Sequence, residues 1–288
     1  MALGAAKISI LILTCNEEKS IAGCLESVSN LDAEIFIVDS GSTDRTLEIA
    51  STYNCKVYRH EWKNYGDQRN WGFDNLPISA PWVLALDAEE RLTPELEKEI
   101  SSLIADPDLS SKPNGYILKK RCYFMGRWIK RGGYYPNHHI RLAKKGCIRC
   151  EERSYHQHFK VEGSLGVLRY DFIDLIATSV IGWSSKLSRW APHEANAMLN
   201  EIDNDINNVR IKPKLFGNSI ERKRYLRERV YNRFPLFVRP FLLFVYQYFF
   251  RLGFLEGKEG LVFFTLQSFY FPFLTDCAIY EQKKDNSI

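Results

Sequence analysis

Two absences bound what this chain can be. No apolar run reaches the roughly 18 to 20 uninterrupted residues that a membrane span needs, although Pro235 to Phe250 and Gly260 to Phe273 are rich in Phe, Leu, Val and Tyr. The loop after the first apolar stretch, Thr14-Cys15-Asn16-Glu17-Glu18, contains no glycine, lysine or arginine. That argues against the phosphate loop a nucleotidyltransferase would carry there. Basic and aromatic residues do not alternate either: nine Lys/Arg from Lys212 to Arg239 precede the aromatic run, so nucleic-acid binding by base stacking is not expected. The opening Met1-Ala2-Leu3-Gly4-Ala5-Ala6 is too short for an export signal, and seven cysteines are an odd number. The expectation is a reducing, cytoplasmic setting with free thiols. Cys147, Cys150, His156 and His158 have passable spacing for zinc, but a lone C-x-x-C pair in a strongly charged segment is a weak signal and no zinc is expected.

Apolar residues make up 45% of 288 positions, enough to bury one large domain or a domain with an appendage. Ile8 to Leu13, Glu34 to Val38, Lys56 to Arg59 and Trp82 to Leu86 read as strands, with helical patterns between them. Ile21, Cys24, Leu25 and Val28 form one apolar stripe, with Asn16 as a possible cap. Strands alternating with helices predict an α/β fold with a mostly parallel sheet and right-handed crossovers. In such sheets ligands sit beyond the carboxyl ends of the strands. Asn16/Glu17, Asp39/Asp44, Arg69 and Asp87/Glu89 come from four loops at that edge. Asp87 and Glu89, two residues apart, can share one hard divalent cation whose other ligands are phosphate oxygens. Thr93 and Pro94 supply a helix start just beyond.

The segments Ile10-Leu11-Ile12-Leu13-Thr14-Cys15-Asn16-Glu17-Glu18, Val38-Asp39-Ser40-Gly41-Ser42-Thr43-Asp44, Gln68-Arg69-Asn70 and Leu86-Asp87-Ala88-Glu89-Glu90 resemble the family 2 glycosyltransferases. More narrowly, they resemble the branch that includes the lipopolysaccharide core β-1,4-glucosyltransferases. The likeness extends more softly through His138-His139-Ile140-Arg141-Leu142, Lys186 to Ala191 and Arg251 to Gly257. The resemblance implies a GT-A fold and an inverting, metal-dependent hexosyltransferase that moves a hexose or N-acetylhexosamine from a UDP-sugar to a glycolipid or lipopolysaccharide-type acceptor. It implies that Asp39 contacts uracil, with Thr14, Asn16, Glu17 and Ser42 nearby, and that Arg69 lies by the uracil or diphosphate. Asp87 would face ribose or donor sugar, and Glu89 would ligate Mg²⁺ or Mn²⁺ with Asp87.

Two carboxylates found in related sequences are amides here, Asn137 and Gln157. Glu152, then Glu151 and His156, are the remaining candidates for the base that deprotonates the acceptor hydroxyl. His138, His139 and Arg189 are candidates for acceptor binding. The missing carboxylates also leave open a degenerate UDP-binding scaffold. A helical pattern from Asp174 to Asn200 closes a GT-A domain over residues 1–200. Residues 201–288 form a helical, basic and aromatic region in which Arg239, Gln247 and Arg251 fall within about 120° of one another on a helix. That pattern predicts an interfacial helix on the anionic inner face of the cytoplasmic membrane, or a subunit contact in a homo-oligomer.

Overall fold

The structure is a computed structural model that describes residues 6–151, 158–177, 179–203 and 213–285. The chain divides into two compact units. The first takes the chain up to Lys120 and most of His138 to Asp174, and the second takes Arg121–Asn137 and the chain from Leu175 onward. The boundary expected at residue 200 falls inside one helix of the second unit.

In the first unit, β1 (Ile8–Thr14) is buried along its whole length, as a continuous apolar run in a sheet covered on both faces should be. It pairs in parallel with β2 (Ala33–Asp39) on one side and β4 (Trp82–Asp87) on the other; β3 (Cys55–Arg59) extends the parallel part beyond β2. The crossovers carry α1 (Ile21–Glu26), α2 (Thr46–Ser51) and α3 (Tyr65–Asn75). Then come β5 (Glu90–Leu92), α4 (Pro94–Ala105), β6 (Gly115–Phe124), β7 (Arg127–Trp128), β8 (Asn137–Lys144), β9 (Ile148–Cys150), β10 (Phe159–Val161) and β11 (Leu165–Ala177). Hydrogen-bonded neighbours run β3-β2-β1-β4-β8-β6-β11-β5, and β9 and β10 form a separate hairpin. Strand alternation divides the core. Ile10 and Ile12 pack with Ile21, Leu25, Leu96 and Ile100 on one face, and Leu11 and Leu13 pack with Phe36, Val38 and Leu76 on the other.

The register aligns the strand ends: Thr14 lies opposite Asp39, and Leu13 opposite Asp87. Thr93 caps α4 with Pro94 at its first turn, as the sequence predicts. Two local expectations are corrected. Asn16 does not cap α1, whose N-cap is Ser20; its side chain turns to the β2–α2 loop instead. The helix expected from Asp174 begins only at Val180, because residues up to Ala177 continue β11.

The second unit is mainly helical: α5 (Val180–Asp203), α6 (Ser219–Arg229), α7 (Val238–Val245) continued by a π-helical turn Tyr246–Phe250, α8 (Gly257–Phe264) and α9 (Phe271–Asp285). Its core gathers Phe124, Ile129, Trp183, Leu187, Phe263 and Phe264. Of the polar strip expected to lie on a membrane, Arg239 and Gln247 turn inward, while Arg251 stays exposed. Arg239 is 3% exposed and donates from Nε to Asp276 at 2.8 Å, and Gln247 accepts from Ser268. A buried guanidinium needs a counter-ion more than it needs solvent-facing neighbours. The opposite face is apolar and exposed, with Phe241 at 54%, Phe249 at 53% and Phe250 at 75%. The helical stretch Gly253–Asp285 is long and apolar enough to cross a membrane by length and composition, with 44% of its most apolar window buried.

Removing one partner of a buried ion pair strands the other charge. Asp276→Ala is therefore expected to lower unfolding free energy by about 3 to 5 kcal/mol in urea titration, with much of the loss regained in Arg239→Met/Asp276→Leu. A loss under about 1 kcal/mol for the single change would show the pair to be dispensable.

Candidate active site

The loops after β1 and β2 are stitched into one surface. Asp39 is fully buried, and its carboxylate accepts from the Thr14 hydroxyl at 3.1 Å, the backbone N–H groups of Gly41 and Ser42 at 2.9 Å each, and the Ser42 hydroxyl. Asn16, held at φ 57°, accepts at Oδ1 from the Thr43 N–H at 2.8 Å, and its own N–H donates to Ser42 Oγ at 2.9 Å. The Glu17 N–H donates to Thr46 Oγ1 at 2.7 Å, and Asp44 accepts from the Glu18 N–H at 3.1 Å. Thr14, Asn16, Glu17, Asp39 and Ser42 thus form one connected group. Four protein donors fill the lone pairs of Asp39, so a base that takes a bond from Asp39 must displace one of them.

Two strand spacings away, roughly 10 Å, Asp87 is gripped between two arginines. Oδ1 accepts from Arg69 and Oδ2 from Arg141 at 3.0 Å. Arg69, 3% exposed, also donates to the carbonyls of Leu86 at 2.9 Å and Leu11 at 3.4 Å. Arg141 also binds Glu90, whose other oxygen accepts the Asp87 N–H at 3.0 Å. Phe159 lies under both guanidinium groups, at 5.6 and 5.5 Å. Lys120 and Asp174 form a further pair at 2.6 Å whose charges act on Glu90. Burial works against charge on Arg141, but Glu90 and Asp87 hold its pKa above the usual arginine value.

Helix α3 ties this network to its surroundings. Gln68 donates to the His60 carbonyl at 3.0 Å. Asn70 brackets Cys150, donating to its carbonyl at 3.0 Å and accepting its N–H at 2.9 Å. A Cβ at Gly66 would stand 2.4 Å from the Glu151 carbonyl oxygen, so only glycine permits this approach. Glu151 is 2% exposed and accepts the His158 N–H at 3.0 Å, which makes it a brace of the β9–β10 hairpin. Glu152 and His156, the other expected bases, lie outside the described residues. Burial pushes the Cys150 thiol up to about 12.

His138 and His139 are half-buried on β8, and the His139 ring meets Phe172 edge-on at 6.2 Å. Arg189 is exposed on α5 in the second unit. Arg141, Glu90 and Asn70 lie within the motifs named from the sequence, and the structure adds them, with Tyr65, to the site. The available signal was a charge set in an otherwise apolar strand, His138-His139-Ile140-Arg141-Leu142-Ala143.

Glu89 is half-buried beside this network. Burial raises the Tyr65 hydroxyl pKa, and the carboxylates of Glu89, Asp87 and Glu17 raise it further, so several hard oxygen donors share a region of negative potential. That donor set fits Mg²⁺ or Mn²⁺. Both Asp87 oxygens accept from arginines, and Glu89, two residues on, brings a second carboxylate to this region. Among the described residues no three His, Cys, Asp or Glu side chains form a ready-made metal cage.

A mostly parallel sheet with acidic and amide-bearing loops at its carboxyl edge is the architecture of a GT-A fold. The Glycosyl transferase family 2 model matches residues 9–150, and this part of the chain is a family 2 glycosyltransferase domain. The chain is 35% identical over 139 residues to an uncharacterized glycosyltransferase of Rickettsia typhi, covering 48% of this chain and 47% of that one. It is 29% identical over 168 residues to the lipopolysaccharide core biosynthesis glycosyltransferase LpsC of Rhizobium meliloti, covering 56% and 60%. The matched stretch thus spans about half the length of these curated relatives. A mannosyltransferase of Pyrobaculum calidifontis, solved with GDP-Man and Mn²⁺, superposes with a TM-score of 0.52 at 12% identity, covering 96% of this chain and 88% of that one.

Burial pushes the Glu90 carboxyl up from 4.5 to about 7, with Arg141 pulling it down and Asp87 and Asp174 pushing it up. Because the folded pKa lies above the unfolded one, the native state binds the extra proton. The stability this contributes is complete below about pH 4.5 and is lost as pH rises through about 7. Glu90→Gln should remove this component, flattening urea-derived stability between pH 5 and pH 7.5; an unchanged pH profile would overturn the assignment.

Proposed function

We propose that this protein is an inverting glycosyltransferase that transfers a hexose or N-acetylhexosamine from a UDP-sugar to a membrane-borne glycolipid or lipopolysaccharide-type acceptor. The observation that carries the reading is the Arg69–Asp87–Arg141–Glu90 network at the end of β4, beside the stitched Asn16–Asp39 loops. Asp39 and Asn16 set the shape of the surface that receives the nucleobase. Arg69 and Arg141 fix the Asp87 carboxylate, so it meets ribose or donor sugar without reorganising, which is how a preorganised polar site lowers a barrier. Glu89 would hold Mg²⁺ or Mn²⁺, which neutralises charge on the leaving diphosphate. With Glu151 bracing the hairpin, Glu152 is the base we assign to the acceptor hydroxyl, and His138, His139 and Arg189 are assigned to the acceptor side. The core-biosynthesis name of the Rhizobium relative supports an acceptor of that kind.

UDP with Mn²⁺ should raise the melting temperature of the parent protein, and UDP release from UDP-sugars should depend on added membrane extract. Glu89→Ala should abolish the Mn²⁺-dependent part of the shift. Glu152→Gln should leave the shift intact and cut turnover by about 10²-fold or more. No shift with UDP and Mn²⁺, or release that ignores the extract, would count against transfer.

The exposed apolar face of α7 and its continuation supports attachment to the inner face of the cytoplasmic membrane. Val238, Phe241, Val245, Phe249 and Leu252 are all exposed, and Arg233, Arg251 and Lys258 flank them in the sequence and are exposed too. Apolar side chains enter the acyl boundary while cations meet anionic headgroups. Each phenylalanine is worth about 1.5 to 3 kcal/mol if fully buried. Phe241→Ser/Phe249→Ser/Phe250→Ser should therefore reduce sedimentation with phosphatidylglycerol vesicles at least tenfold. A change in oligomeric state with vesicle binding intact would make this face a subunit contact instead.

A further inference from the structure

None of the site residues assigned above lines a groove in the second unit, a cavity of about 430 Å³ walled by Tyr123, Arg127, Trp128, Lys130 and Arg131 over Glu256. Its cations are held in place. The Arg121 guanidinium lies 4.7 Å and the Lys130 ammonium 4.4 Å from the Trp128 ring centre. Tyr123 stacks beside that ring at 6.5 Å, and Tyr135 meets it edge-on at 5.1 Å. Arg127 and Arg131 both reach Glu256, which is 2% exposed and also accepts the backbone N–H groups of Lys130 and Arg131 at 3.3 and 3.0 Å. Glu259 stands 3.7 Å from Arg127. Among the lining side chains, three cations, Arg127, Lys130 and Arg131, face one carboxylate, Glu256, an excess of two positive charges.

Side chains pinned by a ring face or a buried carboxylate have already lost rotamer freedom, so an incoming anion need not order them. Guanidinium forks match phosphate oxygens, and the aromatic walls suit a sugar ring. The Trp128 indole N–H, buried in the wall, has no acceptor among the described residues. The volume is that of a small-molecule site.

We infer that this groove binds a phosphorylated saccharide, a sugar ring carrying one dianionic phosphate. Its role as the anionic part of the acceptor rests on the transfer reading above, but its binding chemistry does not.

Calorimetry at low salt with glucose 6-phosphate, glucose, inorganic phosphate and phosphatidylglycerol vesicles tests this. Glucose 6-phosphate should bind more tightly than inorganic phosphate, and glucose should not bind detectably. Arg127→Gln/Lys130→Gln should weaken glucose 6-phosphate at least tenfold while leaving the UDP and Mn²⁺ melting shift unchanged, which also shows that the variant is folded. Lys130→Gln alone, a change at an exposed side chain, should weaken it severalfold.

Three results would overturn the inference: no binding of glucose 6-phosphate or binding the variants do not affect, inorganic phosphate binding equally well, or vesicles binding through these residues where the phosphosugar does not. Phosphosugar binding in a protein that shows no UDP shift would keep the groove and remove the transfer reading. The converse would remove only the groove.

Discussion

A carboxylate at the end of a central strand, held by two buried arginines, is the constraint on which the first unit depends. Arg69, Arg141 and Glu90 cannot be buried as lone charges, since an unpaired ion in a low-dielectric interior costs several kcal/mol or more. The part-exposed Asp87 carboxylate is where the two arginines meet. Arg69 from α3 and Arg141 from β8 each supply a positive charge, and each then needs a further partner. Glu90 and the carbonyls of Leu86 and Leu11 meet that need. The result is a network that links α3, β4, β5 and β8 through shared charges. Such networks fix side-chain geometry more tightly than apolar packing does, and fixed geometry is what recognition of a charged, flexible donor requires.

The second unit solves a similar problem to a different end. Arg239 and Asp276 neutralise each other inside the helical core, which turns the polar strip of α7 away from solvent. The apolar residues on the other side of the helix have no such partner and stay exposed. Contiguous apolar surface of this kind marks an interaction face. The direction of the face follows from which side of the helix carries the charge that had to be buried.

Strands β1 to β4, the motifs that follow them and the family were legible in the chain, because each is local. Runs of Ile, Leu and Val specify buried strands, and short acidic or amide-bearing loops follow them. Thr93 and Pro94 announce a helix start whatever surrounds them. Which partner each polar group would choose was not legible. Asn16 has good capping chemistry and a helix nearby, yet it braces the neighbouring loop, since a positive φ points its side chain there. Glu151 accepts a backbone N–H from His158 across the β9–β10 hairpin, a contact that composition does not reveal.

By itself, then, the order of residues determined the alternation of strands and helices and the acids at strand ends, since hydrophobic periodicity and capping act over a few positions. The tertiary structure alone decided that Arg141, 54 residues beyond Asp87, completes the grip on that carboxylate, and that α7 presents phenylalanine outward. Both depend on distant groups meeting in a low-dielectric interior, where the cost of an unpaired charge overrides any local preference.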